Sequence, residues 1–462
     1  MYGFEINRTM ALSIAKQLQN QIRNAILNGN LIAGERLPSS RSMANEMGVS
    51  RNTVIQVYEQ LIAEGYLMSM EGSGTYVVDI GRYSQLQKDS ISYKISKVHK
   101  KDNIISFNAG NPDAKLFPKT IWSKLLKQAC MEEELEVNSY SNFVGQEKLQ
   151  RAICDYVYRV KGIVCDYHQI IITPGTSGGV ELVAKTFKKM YNKIAIEDPC
   201  IHFVSHNFSN YNYELLPVSV DAQGMEIEGL KMIPKTDLIY VVPSHQFPIG
   251  GILPVARRIA LLQYANQKNA YVIEDDYDCE FRYRGEPLQP LRNLDPERVI
   301  YCGSFSKIFS PSLRIGYMIV PHHLCDMMMK QMEISNLWVN PTLQLALAEF
   351  LEYKYLDKHI YKIKKVYEKK RLHLMKCIEE AFETHAEVSG EYAGLHLLFK
   401  YRRDFTDQDT QSLEEGGVIV DFVENYSIVK GNHQNELVLG YGELSFSEIE
   451  EGVKRLKIAL EP

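Results

Sequence analysis

GSFSKIFSPSLRIGY, residues 303–317, sets one lysine, Lys307, among Ser304, Ser306 and, seven residues on, Arg314. An apolar run at 299–302 leads into this stretch and another at 315–320 leads out. The polar cluster is therefore expected at a turn between two buried strands. Upstream, the runs 170–173, 193–197, 238–242 and 271–274 are likewise short and apolar, and amphipathic stretches such as PVARRIALLQYANQ (254–267) lie between several of them. Strands alternating with helices predict an α/β domain with a largely parallel sheet. Residues 345–383 read as helical and charged. From 384 on, shorter strands and a helix predict a small α+β subdomain.

In open sheets of this kind ligands gather at the carboxyl ends of the strands, so the residues after each run matter most. After 170–173 comes PGTSGGVELVAK, where Gly175, Thr176 and Ser177 open a helix and can grip an anion with N–H groups and hydroxyls. After 271–274 comes DDYDCEF, with Asp275 and Tyr277, and after 299–302 comes the lysine stretch. An anion cup, a carboxylate beside a phenol, and a lysine beside an arginine together match the needs of pyridoxal phosphate. Its aldehyde bonds to a lysine, its pyridine nitrogen is kept protonated by a buried carboxylate, and its phosphate takes hydroxyls and an arginine fork. Asp276 and Asp278 are expected to be structural. The adjacent His322 and His323 lack metal-ligand partners and are expected at the surface.

The first 78 residues read as a unit of their own. Residues 12–28 predict a helix with Leu18, Ile22, Ala25 and Ile26 on one face and Gly29 ending it. In PSSRSMANEMGVSRNTVIQVYEQLIAEG (38–65), Ser39 or Ser40 caps a short helix, Gly48 makes the turn, and Ser50 caps a second helix. Val54, Val57, Tyr58, Leu61 and Ile62 form that helix's buried face, which leaves Arg51, Asn52 and Thr53 at its open N-terminal end. Two short helices around a glycine turn make a helix-turn-helix. YLMSMEGSGTYVV (66–78) then alternates and turns at 72–74, as a wing does. The second helix would enter the major groove with Arg51, Asn52 and Thr53 near base edges. Arg41 would clamp phosphate or a guanine edge, and Gly72 would bring the wing backbone close to the minor groove. Residues 1–80 hold six Lys/Arg against seven Asp/Glu, so DNA affinity must come from local placement. Residues 79–103, with Lys88, Lys94, Lys97, Lys100 and Lys101, read as a basic linker. The expected division is 1–78 for DNA, 79–103 as tether, and 104–462 for cofactor and dimerisation.

The chain has 462 residues and a net charge of −5, which gives no overall pull toward nucleic acid or membrane. Its eight cysteines are scattered with no C-x-x-C pair, which excludes a disulfide framework or zinc site and fits a cytoplasmic protein. No apolar run reaches the ~18 residues of a membrane helix. The first ten residues lack the basic and apolar regions of a signal peptide.

SFSKIFSPSLRIGY resembles the lysine motif of fold-type-I aminotransferases, and the likeness runs from about 104 to the C-terminus. By that resemblance Lys307 is the Schiff-base lysine, Asp275 pairs with the pyridine nitrogen and Tyr277 reaches the ring hydroxyl. Thr176, Ser177, Ser304 and Arg314 hold the phosphate. Tyr140, in NSYSNFVGQEKLQRAI, resembles the tyrosine that crosses from a partner subunit to that phosphate, which implies a homodimer. PSHQFPIGG (243–251) occupies the place of the family's N-P-T-G turn, with Phe247 where an asparagine usually stands. AGERLPSSRSMANEMGVSRNTV (33–54) is similar to the start of the GntR-family winged helix, with Ala33 in place of a proline and Ile55 where some relatives carry an arginine. Winged helix, linker and aminotransferase-like domain together are the layout of the MocR/GabR regulators.

The resemblance implies a pyridoxal-phosphate-binding transcriptional regulator that binds an operator and senses an amine, an amino acid or the cofactor itself. The alternative is a working aminotransferase with a DNA-binding appendage. KGNHQNELVLGYGEL (430–444) weighs on this choice, because Val438 aligns with the arginine that usually grips the substrate carboxylate. His202 stands near a second arginine position of the GabR-like proteins, and Ile201 replaces an aromatic that often stacks on the cofactor. His202 and Val438 are thus expected in the effector pocket, and a simple α- or γ-amino acid is not the expected effector.

Overall fold

The structure is a computed structural model and describes residues 2–79, 104–131, 143–233, 235–285 and 288–461. The chain falls into two compact units, divided between Lys100 and Lys101. Apart from Asp79, the tether expected at 79–103 lies outside the described residues.

In the first unit, helix α1 (Ile14–Leu27) buries Leu18, Ile22 and Ile26, and α2 (Ser40–Met47) and α3 (Arg51–Ala63) follow. Both caps read from the sequence are present. Ser39 Oγ accepts from Ser42 N at 3.2 Å, and Ser50 Oγ accepts from Thr53 N at 3.1 Å. Gly48 ends α2 with φ +64°, the left-handed conformation that glycine adopts without strain. Val54, Val57, Tyr58 and Leu61 of α3 pack into one core with α1 and the wing. The wing is an antiparallel pair, Leu67–Met70 with Gly74–Val77, and Arg36 bridges to its Tyr76.

The second unit is built on an eight-stranded sheet. Strands Val299–Ser304, Tyr271–Asp276, Leu238–Val241, Lys193–Asp198 and Glu214–Asp221 run parallel, in that spatial order. Gly316–Ile319 lies antiparallel between Val299–Ser304 and Ile170–Thr173. The residues joining Ser304 to Gly316 are too few for a parallel crossover, so the chain must return antiparallel. That return places the start of Gly316–Ile319 at the edge where its neighbours end. Arg314 thereby arrives beside the helix that follows Ile170–Thr173. Glu214–Asp221, not foreseen from the sequence, carries Pro217 and is paired on its outer side, among the described residues, only at Val220 and Asp221.

A four-stranded antiparallel sheet forms the small subdomain, in the order Ala386–Ser389, His396–Tyr401, Glu436–Gly440, Asp421–Phe422. The first strand after the tether, Ile105–Ser106, pairs with Val418–Ile419 of this subdomain. Helix Tyr355–Phe382 carries the chain between the two layers. Among the described residues no helix is long and apolar enough to cross a membrane.

Candidate cofactor site and DNA-facing surface

The strand ends meet at one cavity of about 350 Å³, lined among others by Thr176, Ser177, Asp275, Tyr277, Ser304, Lys307 and Arg314. Seven of the residues singled out for cofactor binding thus lie around one space. Tyr140 lies outside the described residues.

Lys307 follows strand Val299–Ser304, and its Nζ donates to Gly110 O at 2.5 Å. Burial lowers its pKa, and Asp278 and Asp275 only partly oppose this. A depressed lysine pKa raises the fraction of neutral, nucleophilic amine. Register sets Cys302 opposite Asp275, so the lysine turn and the carboxylate leave the sheet side by side.

Asp275 is buried, and its Oδ2 accepts from the Tyr240 hydroxyl at 2.5 Å. Its Oδ1 is buried with no hydrogen-bond partner among the described residues. Burial pushes this carboxyl up to about 7, with Tyr240 and Lys307 pulling down and Asp276 and Asp278 pushing up. A buried acceptor left empty costs about 1–3 kcal/mol unless something donates to it. A protonated ring nitrogen is such a donor.

The anion cup is formed by the helix Gly175–Phe187, whose first turn has no side-chain cap. Its N–H groups therefore remain available to an anion. Gly175 has φ +78°, and a Cβ there would stand 3.1 Å from Arg314 Nη2. Arg314 itself takes φ +51°, a conformation that costs a non-glycine residue about 1–3 kcal/mol, and its Nη2 donates to Pro174 O at 2.7 Å. The strained arginine is thus held against the start of the helix. Ser304 Oγ accepts from Ser306 N at 3.1 Å. These features fit pyridoxal phosphate: a cup for its phosphate, an empty acceptor for its ring nitrogen, and a pKa-lowered lysine in the same cavity.

Tyr277 donates to His245 O at 2.9 Å, and His245 Nδ1 lies 2.9 Å from Asp278 Oδ2. Asp278 therefore has a specific partner behind the site. Asp276 is paired more deeply still. Its Oδ2 receives Lys161 Nζ at 2.9 Å and the Tyr301 hydroxyl at 2.6 Å. His323 is exposed and contacts Tyr271 and Glu297, and His322 is exposed beside it.

His202 and Val438 do not line the cavity. His202 stacks on Tyr426, which does, with ring centroids 4.6 Å apart. Val438 is fully buried and lies directly across the strand pair from Asp421, another lining residue. The sequence reading missed Tyr240, Asn108, Gly110, Phe203, Asp421 and Tyr426. Tyr240 sits inside an apolar strand run and reads as core, and the loop 108–110 follows a strand of only two residues.

On the first unit, Arg41, Ser50, Arg51 and Asn52 are exposed, Thr53 is half-buried, and Gly72 is exposed at the wing turn with φ +70°. Arg51 Nε reaches Ser40 Oγ at 3.3 Å, which ties the two helices of the motif at the face they present. Ser50 is engaged as a cap, so its hydroxyl serves α3 first. Arg36, not singled out from the sequence, is exposed beside Gly74 of the wing.

The family of bacterial regulatory proteins, gntR family, matches residues 14–77, and aminotransferase class I and II matches residues 102–426. The chain is 33% identical to YdeL, an HTH-type transcriptional regulator of Bacillus subtilis, over 98% of each chain. It is 30% identical to the HTH-type pyridoxine biosynthesis transcriptional regulator PdxR of Corynebacterium glutamicum, over 93% of this chain and 92% of that one. With the probable rhizopine catabolism regulatory protein MocR of Rhizobium meliloti it shares 29%, over 98% and 95%. Among solved structures, an archaeal alanine:glyoxylate aminotransferase matches with a TM-score of 0.73 and 25% identity, covering 78% of this chain and 91% of that one. The chain belongs to the MocR/GabR-type transcriptional regulators, in which a GntR winged helix that binds DNA is joined to a class I and II aminotransferase domain.

Proposed function

We propose that the second unit holds pyridoxal phosphate on Lys307 and reports the state of that site to the winged helix, which acts on an operator as part of a homodimer. The observation that carries this reading is the buried, unpartnered Oδ1 of Asp275 in the cavity that also contains Lys307 and Arg314. When bound, the cofactor supplies an electrophilic carbon for amines and an electron-poor ring. The chain's own residues do the rest. Asp275 holds a proton on the ring nitrogen, with Tyr240 fixing its other oxygen. Thr176, Ser177, Ser304 and Arg314 anchor the phosphate. Lys307 contributes an amine whose pKa burial lowers, and engaging the cofactor would cost it the hydrogen bond to Gly110 O. Gly110 lies just beyond Ile105–Ser106, the first strand after the tether, so that exchange changes a contact at the start of the second unit.

Sustained transamination of amino acids is disfavoured. A substrate α-carboxylate needs a cation, and among the described residues lining the cavity the cations are Lys307 and Arg314, both already committed. The proposal is tested by operator binding measured with and without added cofactor, in the wild-type protein and in Lys307→Ala. A cofactor-dependent change that is lost in the variant supports it. The same change in both proteins contradicts a role for the covalent site.

A further inference from the structure

The cavity has two unlike ends. At the sheet edge stand Lys307 and Arg314, and at the wall formed by the small subdomain stand Asp421 and Tyr426. Phe247, Ile201 and Phe203 make the apolar sides between them. Phe247 packs edge-on against Tyr426, with centroids 5.1 Å apart, and the His202 ring stacks on the outer face of Tyr426. The wall opposite the lysine is therefore aromatic and carries one carboxylate.

Asp421 is the direct cross-strand neighbour of Val438. Residues opposite each other in an antiparallel pair present their side chains to the same face. Where an α-carboxylate receptor would place a positive charge, this pair offers an apolar side chain and a negative one. Burial raises the pKa of Asp421, and the Tyr426 hydroxyl and His202 pull it back down, while burial, His206 and Lys430 lower the pKa of His202. A carboxylate effector group at this wall would meet the Asp421 carboxyl, and among the described residues lining the cavity the only lysine and arginine, Lys307 and Arg314, belong to the other end. An ammonium group there would gain an ion pair and the ring faces of Tyr426 and Phe247.

Resting on the cofactor reading above, we infer that the effector is a primary diamine or a longer polyamine, with one amino group at the Lys307 end and a second, charged one on Asp421 beside Tyr426. The class follows from the charge at each end and from the apolar walls between, which suit a methylene chain. Asp421 then determines specificity, selecting a cation at a place where a carboxylate would be rejected.

The test uses the full-length, cofactor-loaded protein. Putrescine and cadaverine are titrated against n-butylamine and γ-aminobutyrate, which share putrescine's four-carbon chain and differ from it in the far group, and the change in the cofactor's visible absorbance is read. The expected result is half-saturation by a diamine at about tenfold lower concentration than by n-butylamine, the size of one partly buried charge-assisted contact, with γ-aminobutyrate weakest. Asp421→Asn should bring the diamines to the level of the monoamine. Equal half-saturation by diamine and monoamine in the wild-type protein, or tighter binding of γ-aminobutyrate, overturns the inference. The absorbance before any amine is added separates the two readings. With no cofactor band both fall, whereas a band present without a diamine preference overturns this one alone.

Discussion

Asp275, Asp276 and Asp278 follow one another within four residues, and the fold gives each a different surrounding. Asp276 takes an ammonium, and its pKa is held below the ordinary value although burial opposes this. Asp278 takes His245. Asp275 alone of the three lines the cavity; like Asp276 it keeps its Oδ1 without a partner among the described residues, and burial pushes it up to about 7. Glu274 and Glu197, also buried, are pushed up to about 7 and about 8 by the same cause. A carboxyl whose pKa is higher folded than unfolded binds more protons in the folded state. Its contribution to stability is full at pH values below its ordinary pKa and is lost as pH rises through the folded one. The cofactor-free protein should therefore lose thermal stability as pH is raised from about 4.5 to about 8. The cofactor-loaded protein should lose less, because a protonated ring nitrogen holds Asp275 ionised. Thermal melts across that range, with and without cofactor, check both statements. Asp275→Ala should abolish the difference between the two curves.

At the scale of elements, the helix-turn-helix rests on local chemistry. Ser50→Ala removes the cap of α3 and should destabilise the first unit by about 1 kcal/mol in chemical denaturation. Arg51→Ala should weaken operator binding in a mobility-shift assay while leaving the cofactor absorbance unchanged, since Arg51 is exposed on α3. In the second unit, Lys161 of helix Glu147–Lys161 joins Asp276 and Glu280 at 2.9 and 3.0 Å, all nearly fully buried. Lys161→Met leaves two buried carboxylates without their cation and should cost about 3–5 kcal/mol of stability, read from denaturant midpoints. The elements that were legible in the sequence are those whose signal is local. The caps Ser39 and Ser50, the turn glycine Gly48 and the apolar strand runs each act within a few residues. Strand Glu214–Asp221 was not legible, because its half-exposed pattern and Pro217 mimic a loop. The wall with Asp421 and Tyr426 was hidden for a different reason. It comes from a two-residue strand and a four-residue helix whose place is set by contacts distant in sequence, such as the pairing with Glu436–Gly440.

For the whole molecule, the sheet order explains why one cavity collects residues from 108 to 426. Parallel strands bring their carboxyl ends to one edge, and the antiparallel return after Ser304 adds Arg314 to it. The small subdomain closes the far side and also pairs with the first strand after the tether. A change at Lys307 is thus two short steps, Gly110 and Ile105–Ser106, from the chain that leads to the DNA-binding unit. Lys307→Ala should keep the fold, since among the described residues Lys307 donates only to Gly110 O, and should uncouple operator binding from the cofactor.

Whether Lys307 carries the cofactor decides the proposed function. Borohydride reduction of protein supplied with pyridoxal phosphate, followed by mass mapping of its peptides, should place a single phosphopyridoxyl group on the peptide containing Lys307. A modification spread over surface lysines, or none at Lys307, would contradict the account.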